Sequence, residues 1–333
     1  MKKIRIGLVG CGALAESIYL PLLTEHPGYQ IAFLADISMV RAQALALKYH
    51  VRSYFDNYQE SIKNTIADAV VLALPNYLHA KAAVDYLNAG LHVLVEKPMA
   101  TCVADAQSMI DASKANNRAL AVGLVRRFFA TTLFIKELID KRTFGGLRSI
   151  SFEEGRVFNW AIKTDSLINK KLSGGGVMMD IGVHVADLML YWLGEVESLE
   201  YYDDNRGGIE AECNIQFETR EHVAGSVKLS RLRNLQNMAC LNFDGAFIEM
   251  GLEPNSAITL KFNRTFAFEG TSDPGHTPQQ PMAVFHKQLD NFHSAVTGDG
   301  QVFVPGEEGI KSLVFIERCY QSAKPLAVCY QHF

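Results

Sequence analysis

Through residue 122 the chain alternates short apolar runs with longer amphipathic stretches. The runs fall at residues 4–9, 31–35, 69–74, 92–95 and 119–122. Each is too short for a helix and rich in Val, Ile or Leu, the pattern of strands buried on both faces of a parallel sheet. Residues 13–23, 39–49, 78–89 and 103–116 carry helical periodicity between them. Strand and helix in alternation predict an α/β domain built on a doubly wound parallel sheet of the Rossmann type. Gly90 stands where a helix C-terminal cap belongs. Thr101, with Asp105 close behind, marks an N-cap region.

Beyond residue 123 the period changes. Ile209, Ala211, Cys213, Ile215 and Phe217 alternate with Glu210, Glu212, Asn214 and Gln216, as in a strand with one wet face. Val223, Val227 and Leu229 continue the alternation after a turn at 219–221, and Ile258, Leu260 and Phe262 repeat it. This predicts a second, α+β domain with a large, mostly antiparallel open sheet. Helices are expected at 133–141, 177–193, 285–296 and 307–322, and a proline-containing loop at 270–281. The boundary falls between 122 and 123, giving domains of 1–122 and 123–333.

Composition agrees with two domains in 333 residues: 48% of residues are apolar and 20% charged. Lys plus Arg number 32 against 36 Asp plus Glu, a net charge of −4 without the basic surplus of a generic nucleic-acid binder. No run of 18 apolar residues suggests a membrane span. The apolar stretch after Met1-Lys2-Lys3 breaks at Gly10 and Gly12, which fits a strand better than a secretion signal. Cys11, Cys102, Cys213, Cys240, Cys319 and Cys329 form no CxxC pair and match no zinc spacing. The expectation is a protein of the reducing cytoplasm without a metal.

Chemistry first shows at Gly10-Cys11-Gly12-Ala13-Leu14-Ala15, after the first strand and at the mouth of the first helix. Gly10 permits a tight turn, Gly12 lets a pyrophosphate approach the backbone, and Ala15 lets the helix pack on the strand. The helix N-terminus then offers amides and a positive dipole end to phosphate. Asp36 lies 21 residues beyond Ala15, where a carboxylate accepts ribose hydroxyls and repels a 2′-phosphate. NAD is therefore expected, with Arg41 leaving NADP open. Glu96-Lys97-Pro98 follows the fifth strand, at the carboxyl end where ligands bind. Partial burial there would lower the Lys97 pKa and ease proton exchange; otherwise it is a solvated loop lysine. Gly174-Gly175-Gly176 opens a helix on which Asp180, His184 and Asp187, at i, i+4 and i+7, share one face. Its neighbours are apolar almost all round, so these polar groups are costly unless paired or functional. A structural role suits Asp187 best.

In order and combination these segments resemble the glucose–fructose oxidoreductase and inositol dehydrogenase (Gfo/Idh/MocA) family over nearly the whole chain. The likeness runs through the glycine turn, Asp36, Pro75-Asn76-Tyr77-Leu78-His79, Glu96-Lys97-Pro98, Gly123 to Arg127, Gly174 to Asp187, Phe285 to Phe292 and Gly306 to Gly309. It implies a nicotinamide-dependent dehydrogenase acting on a carbohydrate-like alcohol. Lys97, Asp180 and His184 then correspond to the catalytic positions. Cys11, Ala13, Leu14, Leu74, Pro75, Asn76, His79 and Glu96 join Gly10, Gly12, Asp36 and Lys97 around the cofactor. Arg126, Arg156 and Trp160 are candidates to meet substrate, the alternative being arginines that pair with acids and a tryptophan in core or interface. The resemblance also implies a homodimer or homotetramer through the second sheet. In the scheme this suggests, His184 takes the hydroxyl proton, Lys97 hydrogen-bonds the same oxygen and Asp180 orients one of them; Lys97 and His184 are interchangeable as proton carriers. A non-catalytic dinucleotide sensor and a transient-redox epimerase or glycoside-cleaving enzyme are the rival readings.

Overall fold

The computed structural model describes residues 2–64, 67–159, 168–254, 256–262, 266–270 and 281–327. It divides into two compact units, Met1–Val125 with Pro281–Ile310, and Arg126–Gln280 with Lys311–Phe333. The first unit is thus discontinuous, where the sequence pattern suggests one cut at 122/123. The helix Pro281–Thr297 drives the Leu289 and Phe292 side chains, both fully buried, into a core shared with Ile6, Leu8, Leu20 and Leu34. An amphipathic helix shows in its sequence that it has an apolar face, but not which core that face joins.

Six parallel strands form the first unit's sheet: β1 (Ile4–Val9), β2 (Tyr29–Ala35), β3 (Ser53–Phe55), β4 (Ala69–Leu72), β5 (His92–Glu96) and β6 (Leu120–Gly123). Their order is β3-β2-β1-β4-β5-β6, so the winding reverses between β1 and β4. Doubly wound sheets bind ligands outside the carboxyl ends of the strands at such a switch point. β3, three residues with no fully buried side chain, carries too little pattern to be read beforehand. The first helix starts at Ala13, widens into a π-helical turn at Ala15–Tyr19 and continues as Leu20–Glu25. Pro21 lacks the amide a regular ladder needs and its ring would crowd the carbonyl four residues back, which accounts for the widening. Gly90 ends its helix at φ +84°, as expected. At the next helix Cys102, rather than Thr101, holds the N-cap position, and its side chain does not cap the helix.

His26 joins the first helix to Pro281–Thr297. The Gly28 amide donates to its Nδ1 at 3.0 Å, and its Nε2 lies 2.9 Å from Asp290 Oδ1. His286 Nδ1 meets the other Asp290 oxygen at 2.9 Å. Although three ligand-type atoms here lie within 4.8 Å of one another, the Gly28 amide occupies the Nδ1 lone pair. Nε2 of a neutral ring must then carry the proton, which makes a hydrogen-bonded knot and leaves no lone pair for a metal.

Among the described residues the second unit is built on nine strands: β7 (Leu147–Gly155), β8 (Val196–Asp203), β9 (Glu212–Thr219), β10 (Ala224–Ser230), β11 (Met238–Phe243), β12 (Phe247–Gly251), β13 (Ile258–Phe262), β14 (Phe266–Gly270) and the two-residue β15 (Lys324–Pro325). The order is β14-β13-β12-β11-β7-β10-β9-β8-β15, antiparallel except at β7–β10 and β8–β15. Ile150, Phe152, Ile215, Val227, Leu241 and Ile248 are buried in this unit. Helix Val183–Leu193 packs by stacking Trp192 on Phe152, ring centroids 5.9 Å apart, while the Trp192 indole N–H donates to the Thr132 carbonyl at 3.0 Å. The alternation expected in β9 holds from Cys213 to Glu218, but Glu210 and Glu212, assigned to the wet face, are buried. Glu212 accepts from Ser230 and Arg233 at 2.7 Å each. The helical stretch Lys170–Leu193 is long and apolar enough to cross a membrane, yet 72% of its apolar window is buried within the protein, as in a core helix.

Candidate active site

The first unit's candidate residues lie at the carboxyl ends of β1, β2, β4 and β5. Gly10 adopts φ +92°, and a Cβ there would stand 2.2 Å from the Ala73 carbonyl oxygen, so no other residue fits this turn without strain. Gly12 is the opposite case: a Cβ there would meet no atom of the described residues within 4 Å beyond its chain neighbours. That side of the turn is open, as a pyrophosphate requires. Helical backbone starts at Ala13, so Ala13 and Leu14 belong to the first turn, whose amides have no carbonyl one turn back. Asp36 and Arg41 grip the Cys11 peptide from both sides. Asp36 Oδ2 accepts from the Cys11 amide at 2.7 Å and Oδ1 from Ser38 at 2.8 Å, while the Arg41 guanidinium donates to the Cys11 carbonyl. Each Asp36 oxygen keeps lone-pair capacity for a ribose hydroxyl. Burial, then the Asp36 charge, pushes the Cys11 thiol up to about 12, so it stays protonated and inert. The turn, its open side and Asp36 fit a bound dinucleotide.

Lys97 follows β5 and is joined to Pro98 by a cis peptide bond. Its amide donates to Glu96 Oε2 at 3.1 Å, and its side chain is half-buried. Glu96 itself is buried, with Oε1 accepting from Tyr19 Oη at 2.5 Å; Gln288 donates to the same hydroxyl at 3.2 Å. Burial pushes the Glu96 carboxyl up, opposed by the Tyr19 hydrogen bond and the Lys97 charge. A Cβ on Gly123 would lie 2.9 Å from Glu96 Oε2, which explains the glycine ending β6. Pro75 precedes helix Asn76–Asn88, which Asn76 opens. His79 is 1% exposed and faces backbone carbonyls with both ring nitrogens, Pro98 O and Leu74 O, each at 2.8 Å. It therefore staples the Leu74 turn to the Lys97–Pro98 segment and has no nitrogen left for the cofactor contact expected of it. Glu96, 7% exposed, turns its oxygens to Tyr19 and the Lys97 amide inside the protein.

In the second unit Asp180 lies in a π-helical turn, Met178–Gly182, which runs into Val183–Leu193. The wider turn breaks the regular i, i+4, i+7 spacing assumed for Asp180, His184 and Asp187. Asp180 pairs with Arg231, which stands just beyond β10. Burial pushes the Arg231 guanidinium down, opposed by Glu154. His184 is half-buried on the same helical stretch. Asp187 takes the structural role: Arg127 donates to its two oxygens at 2.9 and 2.7 Å, and both side chains are 2% exposed.

The substrate candidates are engaged with acids. Arg126 forms a two-pronged pair with Glu154 at 2.7 and 2.6 Å, and Arg156 meets Glu253 at 2.6 Å on the surface. Trp160 lies outside the described residues. Sequence reasoning missed Arg231, Tyr19 and Glu210. Arg231 and Tyr19 stand in no motif. Glu210 is hidden inside an alternation that puts it on the wet face.

Two family profiles match the chain: an oxidoreductase family with an NAD-binding Rossmann fold at residues 4–124, and the GFO/IDH/MocA C-terminal domain at 132–246. The chain belongs to the GFO/IDH/MocA oxidoreductase family. This GFO/IDH/MocA protein is 28% identical to the D-glucoside 3-dehydrogenase of Escherichia coli (strain K12), over 96% of this chain and 95% of that one. It is 26% identical to the 1,5-anhydro-D-fructose reductase of Ensifer adhaerens, over 93% of each. In fold it is similar to the aldose-aldose oxidoreductase of Caulobacter crescentus, with a TM-score of 0.85 and 24% identity over 96% of this chain and 97% of that one. A levoglucosan dehydrogenase with bound NADH and levoglucosan also has a TM-score of 0.85, at 18% identity over 96% and 97%. The first unit of this GFO/IDH/MocA oxidoreductase is its NAD-binding Rossmann domain.

Proposed function

We propose that the protein is a dehydrogenase that moves a hydride between NAD and a secondary alcohol of a sugar, inositol or nucleotide-sugar-like substrate. The observation that carries this reading is the mouth of the first sheet, where Gly12 leaves its side open and Asp36 holds the turn with capacity for ribose hydroxyls to spare. The full-length likeness to a D-glucoside 3-dehydrogenase and a 1,5-anhydro-D-fructose reductase supports a sugar-like substrate.

NAD, when bound, supplies the hydride acceptor for the carbinol carbon. His184 takes the hydroxyl proton, since imidazole is suited to move one near neutral pH. Lys97 donates a hydrogen bond to the same oxygen and stabilises its developing charge. Asp180, paired with Arg231, orients these donors and the sugar hydroxyls. In reduction of a ketone, His184 or Lys97 returns the proton to the oxygen. Copies of the chain associate through the second sheet, which size-exclusion chromatography with light scattering tests.

The test is turnover of methyl β-D-glucoside, levoglucosan, myo-inositol and D-glucose with NAD and NADP, followed at the NADH band. Lys97→Met and His184→Ala are each expected to lower kcat by two or more orders of magnitude, about 3 kcal/mol or more of transition-state stabilisation. Both should leave NADH binding largely intact. Wild-type rates in both variants reject the assignment.

A further inference from the structure

The glycine run at 174–176 is the motif the proposed chemistry leaves without a role. Gly174, at φ +85°, ends the short helix Lys170–Ser173. The chain then enters the helical stretch that carries Asp180 and His184. The first amides of a helix have no carbonyl behind them, and a polar N-cap side chain of the helix's own chain segment serves them in most proteins. Here Val177 is already helical and the Gly176 carbonyl accepts from the Asp180 amide at 3.1 Å, so the capping position is Gly176, which has no side chain to offer. The cap comes from outside. Glu210 Oε1 accepts from the Gly176 amide at 2.9 Å and the Met178 amide at 3.0 Å, and the Glu210 backbone carbonyl accepts from Val177 at 2.8 Å. Three successive amides thus end on one residue more than thirty positions further along. Tyr320 Oη donates to the same Oε1 at 2.8 Å, and Tyr201 packs edge-on against the Tyr320 ring.

The glycines are what let this residue in. A Cβ on Gly175 would stand 1.9 Å from Tyr320 Oη, and one on Gly176 would stand 1.9 Å from the Glu210 carbonyl oxygen. Glu210 is 1% exposed, a costly place for a carboxylate, and the donors converge on Oε1 while the buried Oε2 has no hydrogen-bond partner among the described residues. A negative charge at a helix N-terminus also complements the helix dipole.

We propose that Glu210, held by Tyr320, is a positioning residue: an external cap that fixes where this helix begins and so where Asp180 and His184 stand. The inference rests on the reading that those two residues serve the reaction. Burial pushes the Glu210 carboxyl up, while hydrogen bonds, including those from Tyr320, Met178 and Gly176, hold it down.

Glu210→Ala, Glu210→Gln and Tyr320→Phe test it in the full-length protein, beside His184→Ala. For each, kcat and KM are measured with whichever of methyl β-D-glucoside, levoglucosan or myo-inositol the wild type oxidises. Rates are expressed per NADH-binding site titrated by fluorescence, so that unfolded molecules do not count. Glu210→Ala should lose tenfold or more in kcat with the Kd for NADH within twofold of wild type. Glu210→Gln keeps an acceptor oxygen in place and should recover to within threefold. Tyr320→Phe removes one hydroxyl, should lose a few-fold in kcat, and decides the matter if Glu210→Ala does not fold. Wild-type kcat in Tyr320→Phe, or equal impairment in Glu210→Gln and Glu210→Ala, overturns the proposal. If His184→Ala turns over as fast as wild type, or the wild type oxidises none of the three, the functional reading fails and takes this one with it.

Discussion

Two glycine motifs, one in each unit, do opposite work. At Gly12 the missing side chain leaves space that no atom of the described residues beyond its chain neighbours enters within 4 Å, while at Gly175 and Gly176 the space is taken up by the protein's own Tyr320 and Glu210. In the proposed reading the first motif removes atoms so that a ligand can approach the helix N-terminus. The second removes them so that a carboxylate from elsewhere in the chain can cap one. Both exploit the same property, amides at a helix start that lack partners. The difference is whether the partner is brought by the fold or by the cofactor. A glycine-rich segment before a helix is therefore not by itself a phosphate site, and its surroundings in space decide which it is.

The largest expected effect comes from placing the same methyl group in both motifs. Gly176→Ala drives a Cβ into a backbone oxygen that cannot swing away, so overpacking of about 3 kcal/mol or more is expected. The variant should melt several degrees lower, read by differential scanning calorimetry. Gly12→Ala should leave the melting temperature of the protein without cofactor within about a degree, but weaken NADH binding roughly tenfold to a hundredfold, equivalent to about 1.4–2.7 kcal/mol. If Gly176→Ala is as stable as wild type, or Gly12→Ala binds NADH as tightly, the contrast is wrong.

How far each motif can be read from sequence follows from the same difference. The Gly10–Ala15 turn, Asp36 and the flanking strand and helix are local in sequence, so spacing alone places them, and the parallel sheet follows from its apolar runs. The partners of Gly175 and Gly176 are distant. Glu210 sits in an alternating segment that reads as solvent-facing, and Tyr320 lies in a different helix altogether. Arg231 on Asp180 and Tyr19 on Glu96 were hidden for the same reason, since a contact between remote segments leaves no period. The return of Pro281–Thr297 to the first core is that limit at the scale of a whole helix. Asp180 and His184 stand out in the sequence because charge is conspicuous on an apolar helix, although the π-helical turn at Asp180 changes the face that regular spacing would have them share.

A smaller effect sharpens what the open side of the first turn recognises. Asp36 should repel a 2′-phosphate, while Arg41 is tied to the Cys11 carbonyl and lies 3.5 Å from Glu16. Asp36→Ser removes the repulsion and the ribose acceptor together. The ratio of kcat/KM for NAD over that for NADP should fall tenfold or more, about 1.4 kcal/mol, mostly through KM for NAD. An unchanged ratio would show that Asp36 does no more than brace the Cys11 amide.

The smallest effect concerns how firmly the mouth of the first unit is held. Burial is the main cause that pushes the His79 imidazole down from its ordinary value, with the Lys97 charge adding to it, against hydrogen bonds to Pro98 and Leu74. Among the described charged side chains, Lys97 is the one whose field reaches it, while Lys81 and Asp85 on its own helix pair with each other at 3.0 Å. A histidine with a depressed folded-state pKa binds its proton more readily when unfolded. Its stabilising contribution is therefore fully present above about pH 6.5 and lost as pH falls from there through the folded-state value. Replacing it by glutamine should cost about 1 kcal/mol at pH 7.5, the low end of the penalty for a disturbed buried hydrogen bond. The stability gap between wild type and His79→Gln, measured by urea unfolding, should then narrow as pH is lowered below 6.5. The comparison cancels contributions common to both proteins, including that of His92, whose pKa burial also depresses, and those of Glu96 and Glu210, whose raised pKa values act in the opposite direction. A gap that widens on acidification would mean that His79 is held as an imidazolium donating to both carbonyls, and the staple would then be a charged one.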